Sequence, residues 1–293
     1  MTCTLGCAGE DLKLFRLFGF REFLRHRGEE PTKPVSRVTP PEGSLLTRRF
    51  RESLEVGGFP EAQGLDASLR IPLLQGYVDT LIVRDVVERY QVSQVGPLRW
   101  LVRFCLRNPA AAMSVHKLYR DPKSQGYAVS KDTLHALLSY LEDAFLIKAI
   151  YLDTDSERQR NTNPRKVYPV DVGLIQAYGR SGRPHLALAL ETTVLQELLR
   201  RGAAITYVKT KERYEVDFLA RIPGQVEQLI QVCAAPTLQE TFAREVRALQ
   251  AAAVQYRHAE RVLVVMTSEQ ASQLAGQGIR VRPAYEWFLG SAS

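Results

Sequence analysis

From Ala187 to Met266 the chain passes through an amphipathic segment, three short strand-like segments, a second amphipathic segment and an apolar run. This α-β-β-β-α-β order restricts the region to an α/β unit built on a mixed sheet. The first helix is predicted over Ala187–Arg201, where Leu190, Val194, Leu195, Leu198 and Leu199 recur at helical spacing. Strands follow at Ala204–Lys209, Tyr214–Phe218 and Leu229–Cys233, the last two joined through the Pro223-Gly224 turn. A helix from about Leu238 to Ala253, the strand Arg261–Met266, a short strand Ile279–Val281 and a terminal helix near Tyr285–Leu289 complete the unit.

Strand alternation turns Glu215 and Asp217 to one side of their strand, as it does Gln231 and Cys233 on the next. Carboxylates meeting polar oxygens are what a hard divalent cation requires, and a metal-dependent phosphodiesterase needs one or two such cations. The plainer alternative is that Glu215 and Asp217 are surface carboxylates paired with Lys209, Lys211 or Arg213 across a hairpin.

Upstream, the apolar residues of Leu69–Tyr90 recur at helical spacing, Leu98–Leu106 begins a second helix, and Val129-Ser130 opens a third that runs to about Ala144. Ser130 reads as its N-cap. Strands at Ile147–Leu152 and Lys166–Val170 then give the layout of a winged helix-turn-helix with its wing at Asp153–Arg165. Arg158, Arg160 and Arg165 on that wing suit phosphate contacts. Lys131 and His135 are exposed positions of the proposed recognition helix, whose face is otherwise mixed in sign. A winged helix used only for packing or dimerisation is the alternative.

Pro31, Pro34, Pro40 and Pro41 mark Glu29–Gly43 as a linker, after which Leu45–Leu54 reads as a short helix ended by Gly57-Gly58-Phe59-Pro60. The expected divisions are therefore 1–44, 45–170 and 171–293. A net charge of +7 is compatible with nucleic-acid binding. The scattered Cys3, Cys7, Cys105 and Cys233 form no C-x-x-C pair, so no zinc site is expected, and Cys105 reads as a buried thiol. No apolar run approaches a membrane span and no leader pattern opens the chain, so cytoplasmic residence without a membrane partner is the expectation.

Several of these stretches together resemble one family. They are Gly57-Gly58-Phe59-Pro60-Glu61, the Tyr77–Tyr90 helix with Arg84-Asp85, and Leu141–Leu146. With them go Lys166-Val167-Tyr168, Asp171-Val172-Gly173-Leu174, Glu191, Glu215-Val216-Asp217-Phe218 and the closing Pro283–Leu289. The family is the bacterial and archaeal AAA-type ATPases whose C-terminal half is a domain of unknown function, and the likeness runs from about Leu45 to the end. Leu14–Arg27 resembles the end of that family's ATPase domain, but the chain has no G-x-x-x-x-G-K-[ST] loop to cradle nucleotide phosphates. The resemblance implies a truncated ATPase with no ATP site, in which the apolar face of Leu14–Leu24 has either a new intramolecular seat or a protein partner.

The family's C-terminal unit is also similar to the PD-(D/E)XK nuclease fold. That likeness implies a site in which Glu191 takes the helix acid, Asp217 the strand aspartate and Gln231 the second acidic position, while Cys233 stands where the lysine belongs. Asp217, Gln231, Glu191 and the Val232 carbonyl would hold Mg or Mn, with Lys209 or Lys211 as a migrated lysine. The preferred expectation is a DNA-binding protein with an inactive nuclease-like domain. A Mg- or Mn-dependent DNA endonuclease and a protein-interaction module are the alternatives, and a homo-oligomer is compatible with each.

Overall fold

The computed structural model describes residues 17–114, 118–119, 126–127, 129–179, 185–234, 239–274, 276 and 278–290. The readings of Cys3, Cys7 and Leu14 and of the centre of the loop after Gly179 lie outside the described residues.

Helix α1 (Phe20–His26) buries Phe20, Phe23 and Leu24. Helix α2 spans Pro40–Val56, so it begins five residues before the predicted Leu45 and takes up the end of the expected linker. The cause is local. Pro40 and Pro41 occupy first-turn positions where no backbone N–H is needed, and the Glu42 carboxylate reaches back to accept from Thr39 N–H at 2.7 Å. The helix stops at Gly57, whose φ of +82° is left-handed.

Helix α3 (Ala67–Leu81) starts at Asp66, whose carboxylate accepts from the N–H groups of Ser68 and Leu69, and it continues as a π-helical stretch over Ile82–Glu88. Helix α4 (Val95–Arg107) begins three residues before the predicted Leu98, with Gly96-Pro97 in its first turn. Strand β1 (Ala112–Met113), helix α5 (Lys131–Asp143), strand β2 (Ile147–Ile150), helix α6 (Glu157–Thr162) and strand β3 (Arg165–Pro169) follow. Ser130 caps α5 as expected, its hydroxyl accepting from Thr133 N–H. The stretch predicted as the wing, Asp153–Arg165, contains α6. The three strands form an antiparallel sheet in the order β1-β3-β2, and α3, α4 and α5 share one core with it.

The C-terminal part contains α7 (Gly173–Tyr178), α8 (Leu186–Arg200), β4 (Ala204–Lys209), β5 (Glu215–Arg221), β6 (Gln228–Cys233), α9 (Gln239–Ala253), β7 (Glu260–Val265), α10 (Ser268–Gln273), β8 (Arg280–Pro283) and α11 (Ala284–Leu289). Its sheet runs β4-β5-β6-β7-β8, antiparallel through β6 and parallel beyond it, which is the mixed sheet the order of elements predicts. Leu190, Val194 and Leu198 of α8 bury Phe218, Ile230 and Val264 on one face. Val246 and Leu249 of α9 bury Leu219, Leu229 and Leu263 on the other. Covering both faces explains why these strands read as nearly continuous apolar runs.

Helices α1, α2 and α11 close the α8 side of this sheet. Phe50 sits between Phe20 and Phe288 with ring centroids 4.9 Å away on each side, and Arg21 donates to Leu289 O at 2.6 Å. Phe20 to Leu24 therefore has an intramolecular seat.

The two sheets are joined by the chain leaving β2. Tyr207 N–H donates to Tyr151 O and Asp153 N–H donates to Tyr207 O, so this segment lies along the outer edge of β4 and covers it. The Asp153 carboxylate fixes the joint by accepting from Arg221, Thr206 and Tyr256. Among the described residues no helix is long and apolar enough to cross a membrane.

Candidate functional site

Strands β5 and β6 pair only from Phe218 opposite Ile230 to Ala220 opposite Gln228, and then part. On its other side β5 slips by one residue against β4 between Thr206 and Val208. Val216 and Leu219, three apart, consequently face the same core, while Phe218 and Ala220 face the other. A bulge of this kind re-aims a side chain, and the residue it re-aims is Asp217.

Side chains take over where the ladder stops. Val232 N–H donates to Asp217 Oδ2 at 3.0 Å, and Asp217 N–H donates to Gln231 Oε1 at 3.2 Å. Gln231 Nε2 in turn donates to Glu245 Oε2 on α9 at 2.6 Å, and Arg244 holds the other oxygen of Glu245. These bonds satisfy backbone groups that the parting of the strands would otherwise leave buried and unpaired.

Into this gap comes a lysine from the other sheet. Lys166 of β3 is 3 % exposed, and its Nζ lies 2.8 Å from Glu215 Oε1, 3.2 Å from Asp217 Oδ1 and 3.4 Å from Glu191 Oε1. Tyr168, two residues on and so on the same strand face, donates its hydroxyl to Glu191 Oε1 at 2.8 Å. Burial by itself would strip the proton from Lys166, but the carboxylates of Asp217, Glu191 and Glu215 outweigh it and raise its pKa. Glu191 is pushed up to about 8, first by burial and then by the charge of Asp217, against the pull of Lys166 and Tyr168. Burial raises Asp217 as well, opposed by Lys166 and the Val232 N–H.

The structure thus brings Glu191 and Asp217 together and sets Gln231 beside them through a backbone bond. Cys233 points away, into the core formed with Val246 and Leu249. The ammonium at the site is that of Lys166, not of Lys209 or Lys211, and it also replaces the hairpin partners expected for Glu215 and Asp217. Sequence pattern alone does not single out Lys166, Tyr168 or Glu245 as site residues. A lysine set directly before the apolar run Val167–Val170 is the available signal for the first.

Most of the oxygens expected to hold a divalent metal are met by donors of the protein itself. Both oxygens of Asp217 are engaged, Gln231 Oε1 is spent on a backbone N–H, and Glu191 Oε1 accepts from Lys166 and Tyr168. Among the described residues no three or more His, Cys, Asp or Glu side chains are grouped to hold a metal. The geometry suits an ammonium, whose donors meet separate acceptors.

A second cluster gathers residues of the predicted nucleic-acid face. The Arg160 and Arg165 guanidiniums lie 5.2 and 5.4 Å from the Tyr151 ring centroid, and Arg165 Nη2 is 3.2 Å from His135 Nδ1. Partial burial, with the charge of Arg165, lowers the pKa of His135 and favours the neutral ring that can accept this bond. Arg158 is exposed and separate, and Lys131 lies over the Tyr119 ring at 5.8 Å.

Comparison with known proteins divides the chain at nearly the same place as the two sheets. Residues 47–184 match a domain of unknown function (DUF8612), and residues 188–287 match a second (DUF4143), of the C-terminal type associated with AAA ATPases. An uncharacterized protein of Methanocaldococcus jannaschii is 32% identical over 231 residues, covering 77% of this chain and 50% of its own length. An uncharacterized protein of Haemophilus influenzae is 28% identical over 218 residues, covering 74% of this chain and 51% of its own. The chain spans about half the length of these relatives. No solved structure gives a significant match.

Proposed function

We propose that the chain is a DNA-binding protein in which a winged-helix unit is joined to a nuclease-like α/β unit that does not cut. The observation that carries the second half is the Lys166 ammonium seated on Glu191, Glu215 and Asp217, the carboxylates that a hydrolytic metal would need. One departure from the nuclease pattern supports it: Gln231, at the second acidic position, has no charge to give a cation.

Support for the winged helix comes from the β1-β3-β2 sheet order with α4 and α5 packed on it, and from the arginine pair around Tyr151 at the wing. Phosphate contacts through Arg158, Arg160, Arg165 and Lys131 position such a unit on a duplex without reading sequence. The test is anisotropy of a labelled duplex titrated with the full chain across a range of salt. Affinity should fall steeply as salt rises; an affinity independent of salt rules out phosphate-led binding.

A further inference from the structure

A cleft of about 740 Å³ lies elsewhere, between α2 and the corner where β8 turns into α11. Arg48 and Arg51 stand on its α2 wall, three residues apart and therefore on one helical face. Arg49, between them, turns the other way and is consumed by Glu29 and Glu52. Neither Arg48 nor Arg51 has an ion-pair or hydrogen-bond partner among the described residues, and both are exposed.

The cleft carries two carboxylates, of which Glu286 is neutralised and Glu269 keeps its charge. Glu286 pairs with Arg282 at 3.1 Å, and the Thr267 hydroxyl and its own N–H hold Glu269 in its charged form. Two uncommitted guanidiniums face a space whose walls also carry the hydroxyls of Thr47 and Ser272 and the apolar side chains of Val38 and Val281. Guanidinium pairs and hydroxyls recognise phosphate oxygens, and an apolar wall holds the organic body attached to them. The volume falls in the range of small-molecule sites, roughly 300–1,000 Å³.

We propose that this cleft binds an organic phosphate of nucleotide size through Arg48 and Arg51. The phosphate arrives either on a free nucleotide or on the 5′ end of a short strand. Titration calorimetry on the full chain with ADP, with a 5′-phosphorylated dinucleotide and with inorganic phosphate separates these sources. We expect saturable binding of ADP or of the dinucleotide, whichever is tighter identifying the source. Arg48→Ala and Arg51→Ala should each weaken it roughly tenfold or more, with thermal melting unchanged because both side chains are exposed. Failure of both organic ligands to bind, binding equal in wild type and variants, or inorganic phosphate binding as tightly as either would each overturn the proposal.

Discussion

Lys166 and Asp217 lie 51 positions apart on strands of different sheets, and their charged ends meet at 3.2 Å in a buried gap. The contact does two things. It neutralises part of a carboxylate cluster that burial would otherwise make costly, and it ties the β1-β3-β2 sheet to the five-stranded one. Removing one partner of a buried ion pair leaves the other charge uncompensated, which costs about 3–5 kcal/mol. Lys166→Met should therefore lower the unfolding free energy by that order in denaturant titration. Lys166→Met combined with Asp217→Asn should cost clearly less than the sum of the two single changes. Strict additivity would mean that the two groups are not coupled.

The raised Glu191 carboxyl gives the stability a pH dependence of defined sign. Its ordinary value is 4.5 and its value in the fold is about 8, so between them the native state holds a proton that the unfolded chain has lost. This contribution is fully present below about 4.5 and lost as pH rises through about 8, at a slope of up to about 1.4 kcal/mol per pH unit. Asp217, also raised, acts in the same direction. Glu191→Gln should flatten the decline between pH 5.5 and 8.5, by roughly one proton in linkage terms; parallel curves for variant and wild type would contradict the assignment.

Two motifs that looked separate in sequence form one lock. Asp171 accepts from Gly58 N–H at 2.6 Å and from Gly173 N–H at 2.8 Å, while Phe18 N–H donates to Gly58 O at 2.7 Å. At Gly57, φ is +82° and a Cβ would collide with Asp171 Oδ1 and the Gly173 backbone. Gly57→Ala should cost about 2 kcal/mol or more, beyond the ordinary penalty for a left-handed backbone. A melting temperature equal to wild type would show that the lock tolerates the methyl group.

Arg160 and Arg165 supply a prediction about DNA. If each contacts one phosphate, replacing either with alanine should weaken binding to all duplexes alike and reduce the slope of log K against log salt by about 1. Lys131→Ala and Arg158→Ala test the rest of the face in the same way. A change in sequence preference with an unaltered slope would assign the arginines to base readout.

Much of the frame was legible because it follows from local pattern. The helical spacing of Leu190, Val194 and Leu198 fixes α8, the Ser130 cap fixes the start of α5, and the element order yields the mixed sheet. Glu191 and Asp217 were named together through resemblance, and the fold does bring them together. The lysine was not found, because alternation says which side of a strand Lys166 faces but not that the strand of one sheet docks against the gap in another. The Gln231 side-chain oxygen answers a backbone N–H freed by the parting of β5 and β6, a contact that alternation along one strand does not reveal. The start of α2 is hidden in the sequence because Pro40 and Pro41, which suggest a break, open the helix instead.

We propose that the centre around Lys166 is held closed and cuts nothing. Supercoiled plasmid incubated with the purified full chain and either Mg or Mn tests it most directly. We expect the plasmid to stay intact with both metals under conditions where the chain binds DNA. Nicking or linearisation by the wild type that vanishes in Asp217→Ala would contradict it.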